Sequence, residues 1–298
     1  MKKTIISLLA LIACMSVNAQ NLKIYKGTAL VAEYTADQAD NVVFSKKSGD
    51  SEQPAAKKYV LDKCITDNGD DNLTTAYYTI NEKGSIIATI EIGTLAGNTS
   101  NGLDLYTYGD QMIRREAYDR SYTVFTLNDQ NLITKTTNYK ADGTEMGCST
   151  FEYDSQGRLI SIIDDGGIST TALTWNDDGD LVKLVESNTN GNIITTEIIP
   201  SEQSAEYGNI IKDFFAASDK ILFMNGYYGK QSKHLPAHIG ISTQSNSPAS
   251  LTISNDYKYT ISNGYITGFE LKYITEMPSY HIKKESTKIY KLFWKEVQ

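Results

Sequence analysis

The stretch FEYDSQGRLISI (151–162) contains the pattern that decides the fold, and LTWNDDGDLVKL (173–184) repeats it. In both copies an aromatic residue precedes Asp or Asn, two polar residues and a Gly, and a Leu follows two positions later. Asp154 suits the first position of a type I turn, because its carboxylate can accept a backbone N–H from further along the chain. Gly157 suits the left-handed conformation through which a chain re-enters a second strand at a bulge. The pattern therefore predicts a β-hairpin module.

These acid-rich turns also allow a second interpretation, a calcium site. NDDGD (176–180) and DNGDD (67–71) offer several carboxylates, but neither has the D-x-[DN]-x-[DN]-G alternation of a calcium loop. Asn176 and Gly179 occupy the two turn positions of the second copy, and in a further copy Asn131 stands in place of the Gly. Asn is the next most tolerant residue for a left-handed conformation, which favours a structural turn over a metal ligand. We expect neither a metal nor a cofactor.

Turn signals recur throughout the chain and define its organisation. Between residues 128 and 191 they recur at intervals of roughly 9 to 14 residues, the rhythm of antiparallel strands joined by short turns. We predict an all-β fold over 59–298, an up-and-down meander of repeated hairpins that forms a curved sheet or an open or closed barrel-like domain. Residues 20–44 are interpreted as a small N-terminal β-hairpin unit, and the polar stretch 45–58 as a flexible linker. Residues 206–218 are the one candidate helix, or else an extended crossing segment.

The N-terminus predicts export. Residues 1–19 combine a basic start, a short apolar run and small residues ending at Ala19, as in a secretory signal peptide. Alternatively, the run LIAC ending at Cys14 resembles a lipoprotein signal, in which that cysteine is lipidated. The formal net charge of −8 includes Lys2 and Lys3, so cleavage after Ala19 makes it more negative. An acidic chain does not neutralise phosphates, so we expect no nucleic-acid partner. We expect the protein in the periplasm, at the outer membrane or outside a Gram-negative cell.

Sequence motifs offer no positive case for catalysis. His234 and His238 have the i, i+4 spacing of a zinc pair, but Pro236 between them disfavours the necessary helix. Cys64 and Cys148 can form a disulfide after export or remain two buried thiols. No nucleophile elbow, phosphate loop or C-x-x-C motif is present in the sequence. This favours a non-enzymatic binding or structural module. The alternative is a carbohydrate-active or other hydrolytic enzyme with acidic residues on the concave face of the sheet.

One segment breaks the strand rhythm, NGYYGKQSKHLP (225–236). Irregular segments on a rigid sheet often carry function, so it is a candidate binding loop for a glycan or an envelope protein. The candidate residues are Tyr227, Tyr228, Lys230, Lys233 and His234. Alternatively, the segment is a plug over one end of the sheet, in which case at least one tyrosine ring is buried and the two lysines and the histidine face solvent.

The repeated stretches 151–162 and 173–184, with GYYGKQSKHLP (226–236) and YKYTISNGYITGFEL (257–271), resemble an exported bacterial family of the Bacteroides group. This is domain of unknown function family 4595, described as having a porin-like fold, and the resemblance covers roughly residues 59–298. It implies a β-meander or barrel-like sheet. It implies no activity and no catalytic residues, since none is known for the family.

The porin-like description does not by itself predict a lipid-facing wall. Along LITKTTNY (132–139) both strand faces carry polar side chains, whereas a lipid-facing strand needs an unbroken apolar face about 25 Å tall. We therefore expect no transmembrane span.

Overall fold

The computed structural model describes residues 21–26, 29–35, 58–69, 72–81, 85–95, 98–204, 219–244, 251–262 and 265–297. The chain divides into two units, Met1–Ala55 and Ala56–Gln298. The predicted leader, most of the predicted linker and the candidate helix at 206–218 lie outside the described residues.

The first unit contains one antiparallel hairpin, formed by β1 (Asn21–Lys26) and β2 (Ala29–Thr35). Both strands are rich in apolar and β-branched residues, which is the composition expected of a hairpin. The N-terminal hairpin predicted from the sequence is confirmed, whereas the extent of the predicted unit, residues 20–44, stays a prediction because residues 36–44 lie outside the described residues.

The second unit is a closed antiparallel barrel of sixteen strands. Its first eight strands are β3 (Lys58–Asp67), β4 (Leu73–Ile80), β5 (Ile86–Leu95), β6 (Asn98–Gly109), β7 (Met112–Ala117), β8 (Tyr122–Leu127), β9 (Ile133–Tyr139) and β10 (Glu145–Tyr153). The other eight are β11 (Leu159–Asp164), β12 (Ser169–Trp175), β13 (Leu181–Asn188), β14 (Ile193–Ser204), β15 (His234–Gln244), β16 (Thr252–Ser262), β17 (Tyr265–Met277) and β18 (Ile282–Val297).

Each barrel strand pairs with the next along the chain, and β18 pairs with β3 to close the barrel. The predicted up-and-down meander is therefore confirmed, in its closed form. Helical structure in the described part of the chain is limited to α1 (Lys220–Met224) and a short 3₁₀ turn at Pro278–Tyr280. Within that same part, no helix has the length and apolar character that crossing a bilayer requires.

The inner face of the barrel has two halves of different character. We call the end with the repeated turns, 153–159 and 175–181 among them, the plug end, and the opposite end the far end. Near the plug end the inward side chains form an apolar core, with Phe125, Ile133 and Leu159 almost fully buried. Alternation along the same strands gives the far half an inner face of polar and charged side chains, which are half-buried or exposed.

Candidate functional site

The repeated turn is held by its own first residue. The Asp154 Oδ1 atom accepts the backbone N–H groups of Gln156 and Arg158, both at 2.9 Å, and Oδ2 accepts the Arg158 Nε–H at 2.6 Å. Gly157 has φ +75°. Partial burial opposes ionisation of Asp154, but the hydrogen bonds and the positive charge of Arg158 lower its pKa below the ordinary value. Both carboxylate oxygens are thus used by neighbouring protein groups.

The other copies have the same geometry with different residues. The Asn176 Oδ1 atom accepts the Asp180 backbone N–H at 2.8 Å, and Gly179 has φ +92°. Asn131 occupies the glycine position of its turn with φ +60°. Across the described residues, no group of three or more His, Cys, Asp or Glu side chains is arranged to hold a metal ion.

Aromatic side chains beside these turns connect neighbouring hairpins. Five of them, each near the plug-end terminus of an even-numbered strand, donate to a backbone carbonyl on the preceding strand. The bonds are Tyr108–Ile86 (2.8 Å), Tyr153–Ile133 (2.7 Å), Trp175–Leu159 (2.8 Å), Tyr259–Pro236 (2.7 Å) and Trp294–Ile266 (2.8 Å). We call these the aromatic latches. For Tyr153 and Trp175, they explain why the sequence places an aromatic residue directly before a repeated turn.

The segment 219–233, which we call the plug, packs against the plug end of the barrel through a buried carboxylate. Asp219 caps α1, because its Oδ1 atom accepts the backbone N–H groups of Ile221 (2.9 Å) and Leu222 (3.1 Å). Its Oδ2 atom accepts the Tyr106 hydroxyl and the Arg115 Nη1–H, each at 3.0 Å. The helix start is therefore joined to the wall strands β6 and β7 by an ion pair and a hydrogen bond.

The plug also makes backbone hydrogen bonds with the ends of the hairpins. The Ile133 N–H donates to the Tyr227 carbonyl at 2.8 Å, and the Lys230 N–H donates to the Gly157 carbonyl at 2.9 Å. The Leu181 N–H donates to the Ser232 hydroxyl at 3.0 Å. The repeated turns thus form a cradle for the plug.

The five candidate binding-loop residues have different surroundings. Tyr228 is 3% exposed, with its ring edge against Phe151, and its hydroxyl accepts the Asp219 backbone N–H. Tyr227 is half-buried, and Lys230 and Lys233 are exposed. A ligand-binding role for the exposed lysines stays a prediction.

His234 has a specific partner. Its backbone N–H and its ring Nδ1 contact the two oxygens of Asp180 at 2.7 and 2.8 Å, and that carboxylate is almost fully buried. Ser232, Pro200 and Pro236 line a small depression beside this pair. The contact fixes the point at which the plug ends and β15 begins. His238 lies on the same strand with a different partner, Asp256, at 2.7 Å.

Burial raises the pKa of five tyrosine hydroxyls that pack in the core. For four of them a nearby charged or polar group raises the pKa further. These core tyrosines are Tyr78, Tyr106, Tyr153, Tyr228 and Tyr259. For Tyr106 the second cause is the negative charge of Asp219 beside it. Much of the tyrosine content therefore serves the core.

A ring of small polar side chains separates the apolar core from the far half. These inward residues are buried, and they are Thr89, Thr123, Thr136, Ser149, Thr196 and Asn255. The Thr123 hydroxyl donates to Asn138 Oδ1 at 2.8 Å, whereas Asn255 Oδ1 is buried without a hydrogen-bond partner.

Beyond this ring the far half carries charges of both signs. Strand register places Glu91 opposite Gly102 and Asp104 opposite Thr89, so the two acids are diagonal neighbours on the inner faces of β5 and β6. The Arg115 Nε atom lies 4.0 Å from Asp104. Alternation also directs Asp164, Glu186 and Lys288 inward, on β11, β13 and β18.

The two cysteines of the barrel are not joined by a disulfide. Cys64 lies buried on the inner face of β3, and Cys148 lies half-buried on the outer face of β10, where its backbone N–H donates to Asp165. Opposite faces of the wall explain the lack of a bond between them.

The fold and the site together define a barrel that is packed at one end and polar at the other. A family model described as a domain of unknown function (DUF4595) with porin-like fold matches residues 78–267. The chain therefore belongs to this family, and the resemblance stated from the sequence is confirmed. A porin-like protein from Bacteroides uniformis ATCC 8492 has a similar crystal structure, with TM-score 0.58 and 17% sequence identity. The match covers 78% of this chain and 96% of that chain. No curated protein matches this sequence.

Sequence reasoning missed the carboxylate that anchors the plug. Asp219 precedes the apolar run KILFM, a helix-start signal that was open to detection. Its partners Tyr106 and Arg115 gave no such signal, because they lie more than a hundred positions away in the chain.

Proposed function

We propose that this chain is an exported, non-enzymatic binding module and that its ligand enters the barrel from the far end. The observation that carries the proposal is the difference between the two halves of the lumen. One half is filled by apolar side chains and covered by the plug, and the other is polar and accessible to solvent. A barrel that is filled at one end and open at the other is a dead-end cavity and not a continuous channel, which favours binding over conduction.

The polar side chains that line the far half of the lumen suit a hydroxyl-rich ligand, and we propose that this ligand is a soluble glycan. Ligand sites fix orientation with a small number of placed polar groups. The far half offers donors and acceptors of several kinds, including the Asn138 amide, the Glu186 carboxylate and the Tyr273 ring on its inner face. The buried Asn255 Oδ1 atom also needs a donor, since an unpaired buried acceptor is unfavourable. A ligand hydroxyl or a water molecule can satisfy it.

A glycan-array screen of the full chain, followed by calorimetry on any hit, tests the proposal. The blocking variant is Gly102→Trp, because Gly102 faces the lumen and a Cβ there has only ordinary contacts, the nearest with Glu91 Cβ at 3.7 Å. The matched control is Ala172→Trp, on the outer face of β12. We expect at least a tenfold loss of affinity for the first variant and none for the second. Equal affinities would place the ligand outside the lumen.

A hydrolytic function is the second candidate, and one observation favours it. Glu91 and Asp104 are neighbouring acids on a concave surface, with Arg115 beside one of them. Paired carboxylates on opposite sides of a glycosidic bond are what glycoside hydrolysis requires. Incubation of any array hit with the protein separates the two functions. Glu152, an acid on the outer face, supplies the control variant Glu152→Gln. Cleavage that is lost in Glu91→Gln and kept in Glu152→Gln would show that the protein is a hydrolase and not a binding module.

A further inference from the structure

The charges on the inner surface of the far half are segregated by strand. The inward acids described above lie on β5, β6, β11 and β13. On β16, β17 and β18, alternation leaves two lysines, Lys284 and Lys288, as the charged side chains that point inward among the described residues of this half. We call the inward positions of these three strands in the far half the lysine side of the lumen.

The acids of these strands do not neutralise Lys288, because in the far half they point to the outer surface. There Glu285 forms an ion pair with Lys272, and Glu276 forms one with Lys283. Within the described part of the chain, the half-buried Lys288 ammonium forms no hydrogen bond and no ion pair. A partly buried charge is favourable only when water or an opposite charge solvates it. The Lys288 ammonium is therefore available to a ligand.

Strand register places three further polar or aromatic side chains beside Lys288. Tyr273 on β17 lies opposite Asn255 on β16 and opposite Ser286 on β18, and Lys288 is its diagonal neighbour. Diagonal positions are within reach of long and aromatic side chains. Asn255 is only 4% exposed, and its Oδ1 atom has no hydrogen-bond partner among the described residues. One inner surface thus combines an ammonium, an amide, a hydroxyl and an aromatic ring.

We propose that the glycan ligand is acidic and that Lys288 binds its anionic group, which is the carboxylate of a uronic acid or a sulfate ester. The inference rests on the proposed binding function, since it names the ligand class for the same lumen. An ammonium is a compact positive charge with three donors, and hydrogen bonds between ionised groups are stronger than those between neutral groups. A hydroxyl of the same sugar donates to Asn255 Oδ1, and the Tyr273 ring packs against an apolar face of the sugar.

The remaining charges limit how many anionic groups the ligand carries. Glu91 and Asp104 point into the same lumen, and the chain as a whole has a formal net charge of −8. Both repel a polyanion. A glycan with one acidic sugar among neutral sugars gains the contact with Lys288 and places its uncharged part near the acids. The ligand class is therefore a mostly neutral glycan with an isolated acidic sugar.

A glycan array tests this inference if each acidic glycan is printed beside its neutral form. The neutral forms are made by carboxyl reduction of the uronic acid or by removal of the sulfate. We expect the full chain to bind an acidic form about tenfold more tightly than its neutral form, because a hydrogen bond to a charged group is lost in the neutral form. The member that binds, uronic acid or sulfate ester, identifies the source of the anionic group.

Variants of Lys288 connect the preference to this side chain. Lys288→Gln removes the charge, so it should weaken binding of the acidic form about tenfold and leave binding of the neutral form unchanged. Lys288→Arg keeps the charge and should keep the preference. The matched control is Lys291→Gln, the same change at an exposed outward position of the same strand. Circular dichroism melts show that each variant is folded, and Lys288→Met replaces Lys288→Gln if that variant unfolds.

The possible failures of this inference and of the proposed function are distinguishable. Equal affinity for acidic and neutral forms, with binding still lost in Gly102→Trp, would overturn the anionic ligand and leave binding in the lumen standing. A preference for acidic forms that persists in Lys288→Gln would also overturn the inference, because another group would then bind the anion. If no glycan binds, the proposed function fails and this inference fails with it.

Discussion

Replacing Asp219 by Ala should release the plug and destabilise the barrel by about 3 to 5 kcal/mol, the range for breaking a buried ion pair. Asp219 is only 5% exposed, and its carboxylate accepts four hydrogen bonds. Loss of the helix cap accounts for about 1 kcal/mol. The Tyr106 hydroxyl, left buried without an acceptor, adds about 1 to 3 kcal/mol. Arg115 adds less, since a third of its side chain is exposed and Asp104 stays beside it.

The conservative variant separates charge from hydrogen bonding. Asp219→Asn keeps an oxygen for the cap and removes the charge that Arg115 faces, so we expect a smaller loss, about 1.5 to 3 kcal/mol. Tyr106→Phe deletes one hydrogen bond, for which about 1 kcal/mol is expected. Because the two residues are in contact, the double variant should be less destabilised than the sum of the single variants.

Urea unfolding followed by aromatic fluorescence measures the free energy of unfolding, and amide hydrogen exchange at Ile221 and Leu222 reports on the helix itself. The matched control is Asp177→Ala, an exposed turn acid, which should stay within about 0.5 kcal/mol of the wild type. If Asp219→Ala behaved like this control, the carboxylate would not hold the plug in place. Exchange that is faster at Ile221 and Leu222 while the wall strands stay protected would show that the plug opens separately from the barrel.

Four further predictions concern other parts of the chain. First, stability should fall above about pH 10, by about 1.4 kcal/mol per pH unit for each of the five core tyrosines. Their raised pKa keeps the folded form protonated while the unfolded form ionises, so the contribution is complete below the ordinary pKa and is lost as pH rises; absorbance at 295 nm during titration checks it. Second, Gly229→Ala should destabilise by about 2 to 5 kcal/mol in urea melts, since φ is +89° and a Cβ would lie 2.5 Å from the Gly157 carbonyl oxygen. Gly157→Ala, with φ +75° and open space, should lose only about 1 to 2 kcal/mol, and equal losses would contradict the steric account. Third, Tyr153→Phe removes one aromatic latch and should lower stability by about 0.5 to 1.5 kcal/mol in the same melts; an unchanged midpoint would show that the latch is not stabilising. Fourth, the mature chain should begin at Gln20, and mass spectrometry that finds an acylated Cys14 would contradict this.

The fold was predictable from the sequence to the extent that its contacts are local. The turn at 154–157 depends on a side chain that bonds to groups two and four positions ahead and on a glycine three positions ahead. Both signals lie within one short window, so a repeat of the window predicts a repeat of the hairpin. Barrel closure involves β18 and β3, which are the two ends of the domain, and no local pattern distinguishes a closed barrel from an open sheet.

The candidate site was less predictable for the same physical reason. The segment 225–236 was recognisable because it interrupts the strand pattern, but its sequence left open whether it is a binding loop or a plug with a buried tyrosine. The lumen lining was not recognisable. Glu91 and Asp104 look like ordinary strand acids until strand order and register place them side by side on a concave surface. Which acids converge is decided by pairing between strands, and this information is not contained in spacing along the chain.

The repeated turn also binds other segments of the chain, a role that the turn sequence alone does not indicate. The Gly157 carbonyl accepts a hydrogen bond from the plug, and Asp180, directly after the next turn glycine, binds both the backbone and the ring of His234. A left-handed glycine directs its carbonyl away from the strand ladder, which leaves that group available to another segment. The hairpin repeat therefore supplies the wall of the barrel and also the hydrogen-bond acceptors that hold the plug and the start of β15.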